Sequence, residues 1–285
     1  MRPRFGVALG AGALFVTSAA GLFAEMQRGR YAAARTPEEE AYEDRAREAL
    51  GWREVRTESG DRLRAARGVR IVVPATGLAL RAGHGTVTAG PPPRADVLAA
   101  TELVAQELAL YPASWLARIG LRNVVLCEGL AEDGRAIPSL PNVRESLLVD
   151  VSGAPAYLQR LVHHEIFHFA DVADDGQLLS DRAWEALNAP GFRYLGSGRG
   201  AREPEPGWPW HDAPGFVSRY ATSALEEDKA ELFALMMVAP RRAAELAMGD
   251  PVLATKVAAL RDHVASIGSE LDERFWERLA AVRVD

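Results

Sequence analysis

His163-His164-Glu165-Ile166-Phe167-His168 reads as H-E-x-x-H over His164, Glu165 and His168. Positions i and i+4 of a helix share one face, so both histidines can offer a ring nitrogen to one ion. Glu165 falls one step round the helix, beside such an ion rather than on it, where a general base belongs. The flanks predict the helix this requires. Leu158, Val162, Ile166, Phe169 and Ala173 recur at helical spacing as an apolar stripe. That stripe is expected to pack inward while the histidines face a cleft. The competing explanation is two histidines four apart by chance on a core helix. With 6 histidines in 285 residues, such a coincidence has little room.

Two histidines leave a zinc site short, because a catalytic site takes three protein ligands and keeps one position open. Spacing offers three candidates for the third. Asp174 stands six residues after His168, where an extended H-E-x-x-H-x-x-G-x-x-H/D pattern puts a ligand, but Asp171 replaces the glycine that turns the chain back. His211 lies in the Pro- and Trp-rich stretch Glu203–His211, which is either an extended connector or an aromatic rim over a cleft. Glu227 sits in the first turn of a helix announced by the capping pattern Ser223-x-x-Glu226 and running to about Val238. Glu231 follows one turn later on the same face, where it could hold the N–H of a ligand. The run Glu226-Glu227-Asp228 also reads as a solvated acidic face.

Working outward, the chain predicts an α+β arrangement. Strand-like runs at Val69–Val73, Asn123–Cys127 and Ser146–Val151 precede the histidine helix, giving a small sheet. Helical spacing covers Ala95–Leu110 and Ala113–Ile119, and Pro240, Asp250-Pro251 and Ser269 open three helices after residue 238. Residues 25–66 are charged and poor in apolar side chains, and are expected to form a solvated helical spacer before a main domain at 67–285.

Composition closes off several function classes. A net charge of −6 and no basic-aromatic pattern argue against nucleic acid as a partner. Cys127 is the sole cysteine, which excludes an internal disulfide and a cysteine-based zinc cluster. Met1-Arg2-Pro3-Arg4 followed by the uncharged run 5–24 reads as a signal peptide or a membrane anchor over 1–24. The protein is therefore expected to be exported (periplasmic, extracellular or membrane-anchored through residues 5–24). No cysteine follows the run, so a lipoprotein is excluded.

Several stretches together resemble a known bacterial family. They are His163–Phe169, Trp184–Asn188 with Gly191–Tyr194, and Gly215–Ala221 leading into Glu227-Asp228-Lys229-Ala230-Glu231. They resemble the zinc-binding metallopeptidases related to the catalytic domain of anthrax lethal factor and to Pro-Pro endopeptidases, all gluzincins. The likeness spans roughly residues 95–280. It implies a zincin-like metallopeptidase domain, mostly helical, with one zinc ion per chain. By the same resemblance His164, His168 and Glu227 are the metal ligands and Glu165 the general base. Tyr220 is the tyrosine that steadies an oxyanion, and Glu231 the carboxylate behind a ligand. Lys229 departs from the pattern, standing where an aromatic residue is usual. The implied function is zinc-dependent hydrolysis of a peptide or protein substrate. Alternatives are a cell-wall or other amide metallohydrolase, or a catalytically silent metal-stabilised binding protein. A structural site is closed and needs neither a base nor an oxyanion donor, so Glu165 and Tyr220 favour an enzyme.

Overall fold

The runs of Val, Leu and Ile that precede the histidines build a mixed sheet. The computed structural model describes residues 50–82, 85–141, 145–175, 180–195 and 213–283. At the centre of the sheet, β2 (Arg70–Pro74), β5 (Asn123–Glu132) and β8 (Ser146–Asp150) run parallel, with Ile71 opposite Val124 and Val125 opposite Leu148. Around them lie β1 (Trp52–Glu54) against β2, and the hairpin β3 (Leu78–Ala82) and β4 (Gly85–Gly90) against β5. Two short antiparallel strands complete it, β6 (Arg135–Ala136) on β5 and β7 (Ser139–Leu140) on β8.

Successive strand residues point to opposite faces, so the sheet divides the apolar residues between two clusters. Ile71, Val124, Leu126, Leu147 and Val149 face the helices and form the main core with them. Val72, Val125, Cys127 and Leu148 face the other way and pack with Trp52, Leu78, Leu80 and Val87. Cys127 is buried there as a small hydrophobe, and burial pushes its thiol up to about 12.

The helices are α1 (Glu58–Arg67), α2 (Arg94–Leu108), α3 (Ala113–Arg118), α4 (Pro155–Asp175) and α5 (Arg182–Glu185). After them come a 3₁₀ turn (Tyr220–Thr222), α6 (Leu225–Val238), α7 (Pro240–Gly249), α8 (Pro251–Ile267) and α9 (Glu273–Val282). Pro240 and Pro251 open α7 and α8 as their sequence context predicts, and Asp250 caps α8 by accepting from the N–H groups of Val252 and Leu253. Helix α4 packs closely against α6. Residues 161–171 of α4 are buried on every side, as are Leu225 to Met237 of α6. Charged groups on two such helices must find partners inside the protein.

The structure departs from the sequence reading in four places. Among the described residues the sheet has eight strands where the sequence predicts three strand-like runs: β1, β3 and β4 fall outside those runs, and β6 and β7 are two residues each and show no periodicity. About half of the described residues are helical, so the domain is less helix-dominated than expected. Residues 50–66, assigned to a solvated spacer, contain β1 and most of α1; Trp52 and Leu63 are buried while Glu58, Asp61 and Arg62 carry the charge outward. Ser223 is not a cap: its hydroxyl donates to the Tyr220 carbonyl, and Ala224 precedes the first turn of α6. The segments 1–24 and 25–49 and residues 203–212, with His211 and both loop tryptophans, lie outside the described residues. Among the described residues no helix is long and apolar enough to cross a membrane.

Candidate metal centre

Where α4 faces α6, three ligand-type side chains meet. His164 and His168 come from one face of α4 and Glu227 from the first turn of α6, and all three are buried. Nε2 of His164 lies 3.1 Å from Nε2 of His168 and 3.0 Å from Oε2 of Glu227. Nε2 of His168 lies 3.7 Å from the same Glu227 oxygen. The acidic run is therefore not a solvated face: Glu226, Glu227 and Asp228 are 8%, 7% and 1% exposed.

Tautomer chemistry decides what this cluster is for. Nδ1 of His164 lies 3.0 Å from Oε1 of Glu231, and an ionised carboxylate can only accept, so Nδ1 carries the hydrogen. A neutral His164 then presents the lone pair of Nε2 towards His168 and Glu227. Glu227 Oε2 is itself buried without a well-formed hydrogen bond. Lone pairs converging in a buried space repel unless a cation takes them up. Ligands about 2.1 Å from one tetrahedral zinc ion are about 3.4 Å apart. The three separations of 3.0, 3.1 and 3.7 Å bracket that value, so the donor set fits zinc in type and in spacing.

The electrostatics point the same way. Burial disfavours a charged His164, yet Glu227 and Glu231 outweigh it and hold the imidazole up to about 10, so without an ion a proton on Nε2 takes the place of the cation. Burial would raise the Glu227 carboxyl, but the two imidazoles keep it well below the usual carboxylate range. Glu231 is likewise lowered against burial, by His164 and by Arg160, whose guanidinium stands 3.6 Å away. The pocket has been built around positive charge.

Glu165 is buried at 5% exposure. Its Oε1 accepts a hydrogen bond from the Ser139 hydroxyl at 2.5 Å, while Oε2 is buried with no hydrogen-bond partner. Tyr220, in the 3₁₀ turn just before α6, lies tilted beside His164, the two ring centroids 6.0 Å apart. The structure thus brings His164, His168, Glu227, Glu231 and Tyr220 together around one point.

It separates the rival ligand. Helix α4 continues through residue 171, so no turn brings Asp174 back, and Asp174 instead lies 3.8 Å from Nδ1 of His263. Lys229, which departs from the resembled pattern, is buried between Asp171 at 3.0 Å and Asp181 at 2.8 Å.

Three contributors escaped the sequence reading. Ser139 and Arg160 carry no spacing signal. Lys256, fully buried, donates to Asp228 at 2.7 Å and to the Gly215 carbonyl at 2.9 Å. The same Asp228 oxygen accepts from Trp184 Nε1 and Tyr194 Oη, both at 2.8 Å. Asp228 follows Glu227 directly, so this hub fixes the turn that presents Glu227. A buried lysine lacking a motif is visible only in three dimensions, although the stretches around Trp184 and Tyr194 did mark two of the donors to Asp228.

No family model matches the chain, and no curated protein does. Among solved structures it is similar to a "putative zinc-binding metallo-peptidase" from Bacteroides caccae ATCC 43185, with a TM-score of 0.50 and 13% identity. The match covers 81% of this chain and 94% of that one. At such identity the likeness speaks to the fold: this chain has a metallopeptidase-like α+β fold.

Proposed function

We propose that this protein is a zinc-dependent peptidase of the gluzincin type. The observation that carries the reading is the convergence of His164 Nε2, His168 Nε2 and Glu227 Oε2 within a buried space flanked by Glu165 and Tyr220. His164, His168 and Glu227 would hold the ion, and Glu231 would hold His164 in its tautomer. Zinc supplies Lewis acidity, polarising the scissile carbonyl and making a water molecule more acidic. Glu165 takes the proton of the attacking water on Oε2, the oxygen that Ser139 leaves unused, and returns it to the departing nitrogen. The Tyr220 hydroxyl donates to the oxyanion that forms as the carbonyl is attacked, a contribution worth ~3 kcal/mol in comparable sites.

Elemental analysis of the purified full chain together with cleavage of an unbiased peptide library tests this. The expected result is one zinc per chain and cleavage that a chelator abolishes, with both lost in His164→Ala and His168→Ala. Full zinc retention in both variants rejects the site. Zinc bound at full occupancy with no peptide cut favours an amidase of other substrates or a silent metal-stabilised protein.

A further inference from the structure

We infer that Ser139 is a positioning residue for Glu165, tying the general base to the edge of the sheet. The inference rests on the peptidase reading and extends it to a residue outside the metal-binding helices. Ser139 belongs to the two-residue strand β7, and its backbone is paired with Val149 of β8. The residue is 4% exposed and its side chain turns towards α4, where the hydroxyl donates to Glu165 Oε1 at 2.5 Å. A hydrogen bond to an ionised carboxylate is short and strong. Here it joins two elements 26 residues apart in sequence.

The consequence is a division of labour within one carboxylate. Oε1 is committed to the sheet, so the carboxylate plane cannot turn freely about its last torsion. Oε2, buried and without a hydrogen-bond partner, is left to exchange a proton. Without Ser139, Glu165 could rotate and offer either oxygen at a poorer angle. A misplacement of about 1 Å in a catalytic group can cost about 100-fold in rate. The remaining packing around Glu165 limits the loss, so about 10-fold is expected here. The ligands are not touched, so zinc binding should be indifferent to Ser139.

The test uses the zinc-loaded full chain as Ser139→Ala and Ser139→Thr, with wild type and Glu165→Gln as references. Ser139→Ala should stay folded with one zinc per chain, at a thermal midpoint lowered by the loss of the only hydrogen bond to a buried carboxylate, while kcat falls about 10-fold at unchanged KM. Ser139→Thr, which restores a hydroxyl, should recover most of kcat. A second readout does not depend on turnover. The side-chain carboxyl resonance of Glu165, assigned by its absence in Glu165→Gln, should move in Ser139→Ala and return in Ser139→Thr. Wild-type kcat in Ser139→Ala, a loss confined to KM, or an unmoved resonance each overturn the inference. A zinc-loaded wild type that cuts no peptide overturns the peptidase reading instead, and the resonance then decides the Ser139–Glu165 contact alone.

Discussion

Glu165 and Glu227 are both buried carboxylates beside the same histidine, yet they should fail in different ways. Glu227 offers its oxygen to the point shared by two imidazoles, so Glu227→Ala should release zinc and activity together. Glu165→Gln should leave zinc and fold intact and abolish turnover, because an amide takes no proton from water. Tyr220→Phe should also keep zinc and lose roughly 100-fold in kcat through the missing oxyanion donor. Metal content and turnover measured on the three variants separate these roles. Zinc lost from Asp174→Ala but kept in Glu227→Ala would contradict the arrangement, since Asp174 lies beside His263, away from His164 and His168. Much of this site was legible in sequence because helical spacing is a rigid ruler: 164 with 168 and 227 with 231 each fall one turn apart. Ser139 was not, because a serine on a two-residue strand has no period to read. Nor was the burial of Glu227, since three acidic residues in a row look the same in sequence whether solvated or paired.

At the scale of elements, α6 is a charged-looking helix driven into the core. Its first turn carries Glu226, Glu227 and Asp228, all buried, with His164 facing Glu227 and Lys256 facing Asp228. The Asp228–Lys256 pair locks α6 to α8, with Lys256 Nζ 3.8 Å from the Phe216 ring centroid. Burial raises the Asp228 carboxyl and lowers the Lys256 ammonium, and their mutual attraction opposes both shifts. Removing one partner of such a pair strands the other. Lys256→Met should therefore cost about 3 kcal/mol, seen as a fall of roughly 10 °C in thermal midpoint. On the peptidase reading it should also weaken zinc binding, because Asp228 adjoins Glu227. A variant as stable as wild type would mean that Trp184 and Tyr194 alone satisfy Asp228. Sequence could not reveal this lock, as Lys256 lies 28 residues from Asp228 on an otherwise ordinary helix. It misread α1 for the opposite reason, since one buried leucine among outward charges looks like a solvated segment.

Over the whole molecule, the reverse side of the histidine helix is fastened by a second polar network. His163, fully buried, places Nε2 2.8 Å from Glu107 of α2 and Nδ1 2.6 Å from the Tyr111 hydroxyl. Arg283, beyond α9, also donates to Glu107 and to the Met237 carbonyl at the end of α6. One carboxylate thus joins α2, α4 and the chain following α9, and through Arg283 it reaches α6. Burial would raise the Glu107 carboxyl, but His163 and Arg283 outweigh it and bring it down to about 2 from 4.5. The unfolded chain therefore takes up this proton at a higher pH than the folded chain does. The stabilisation is complete above pH 4.5 and is lost as pH falls through that value towards 2. Its size is at most ~3 kcal/mol, from the difference between the two values. Urea unfolding of wild type and Glu107→Gln at intervals from pH 7 to pH 3 measures it. Glu107→Gln should be the less stable protein at neutral pH, and its curve should fall less steeply below pH 5, so that the two converge in acid. Parallel curves over that range would mean that Glu107 is not ionised in the folded protein, and that the network behind the metal helix is held by neutral hydrogen bonds.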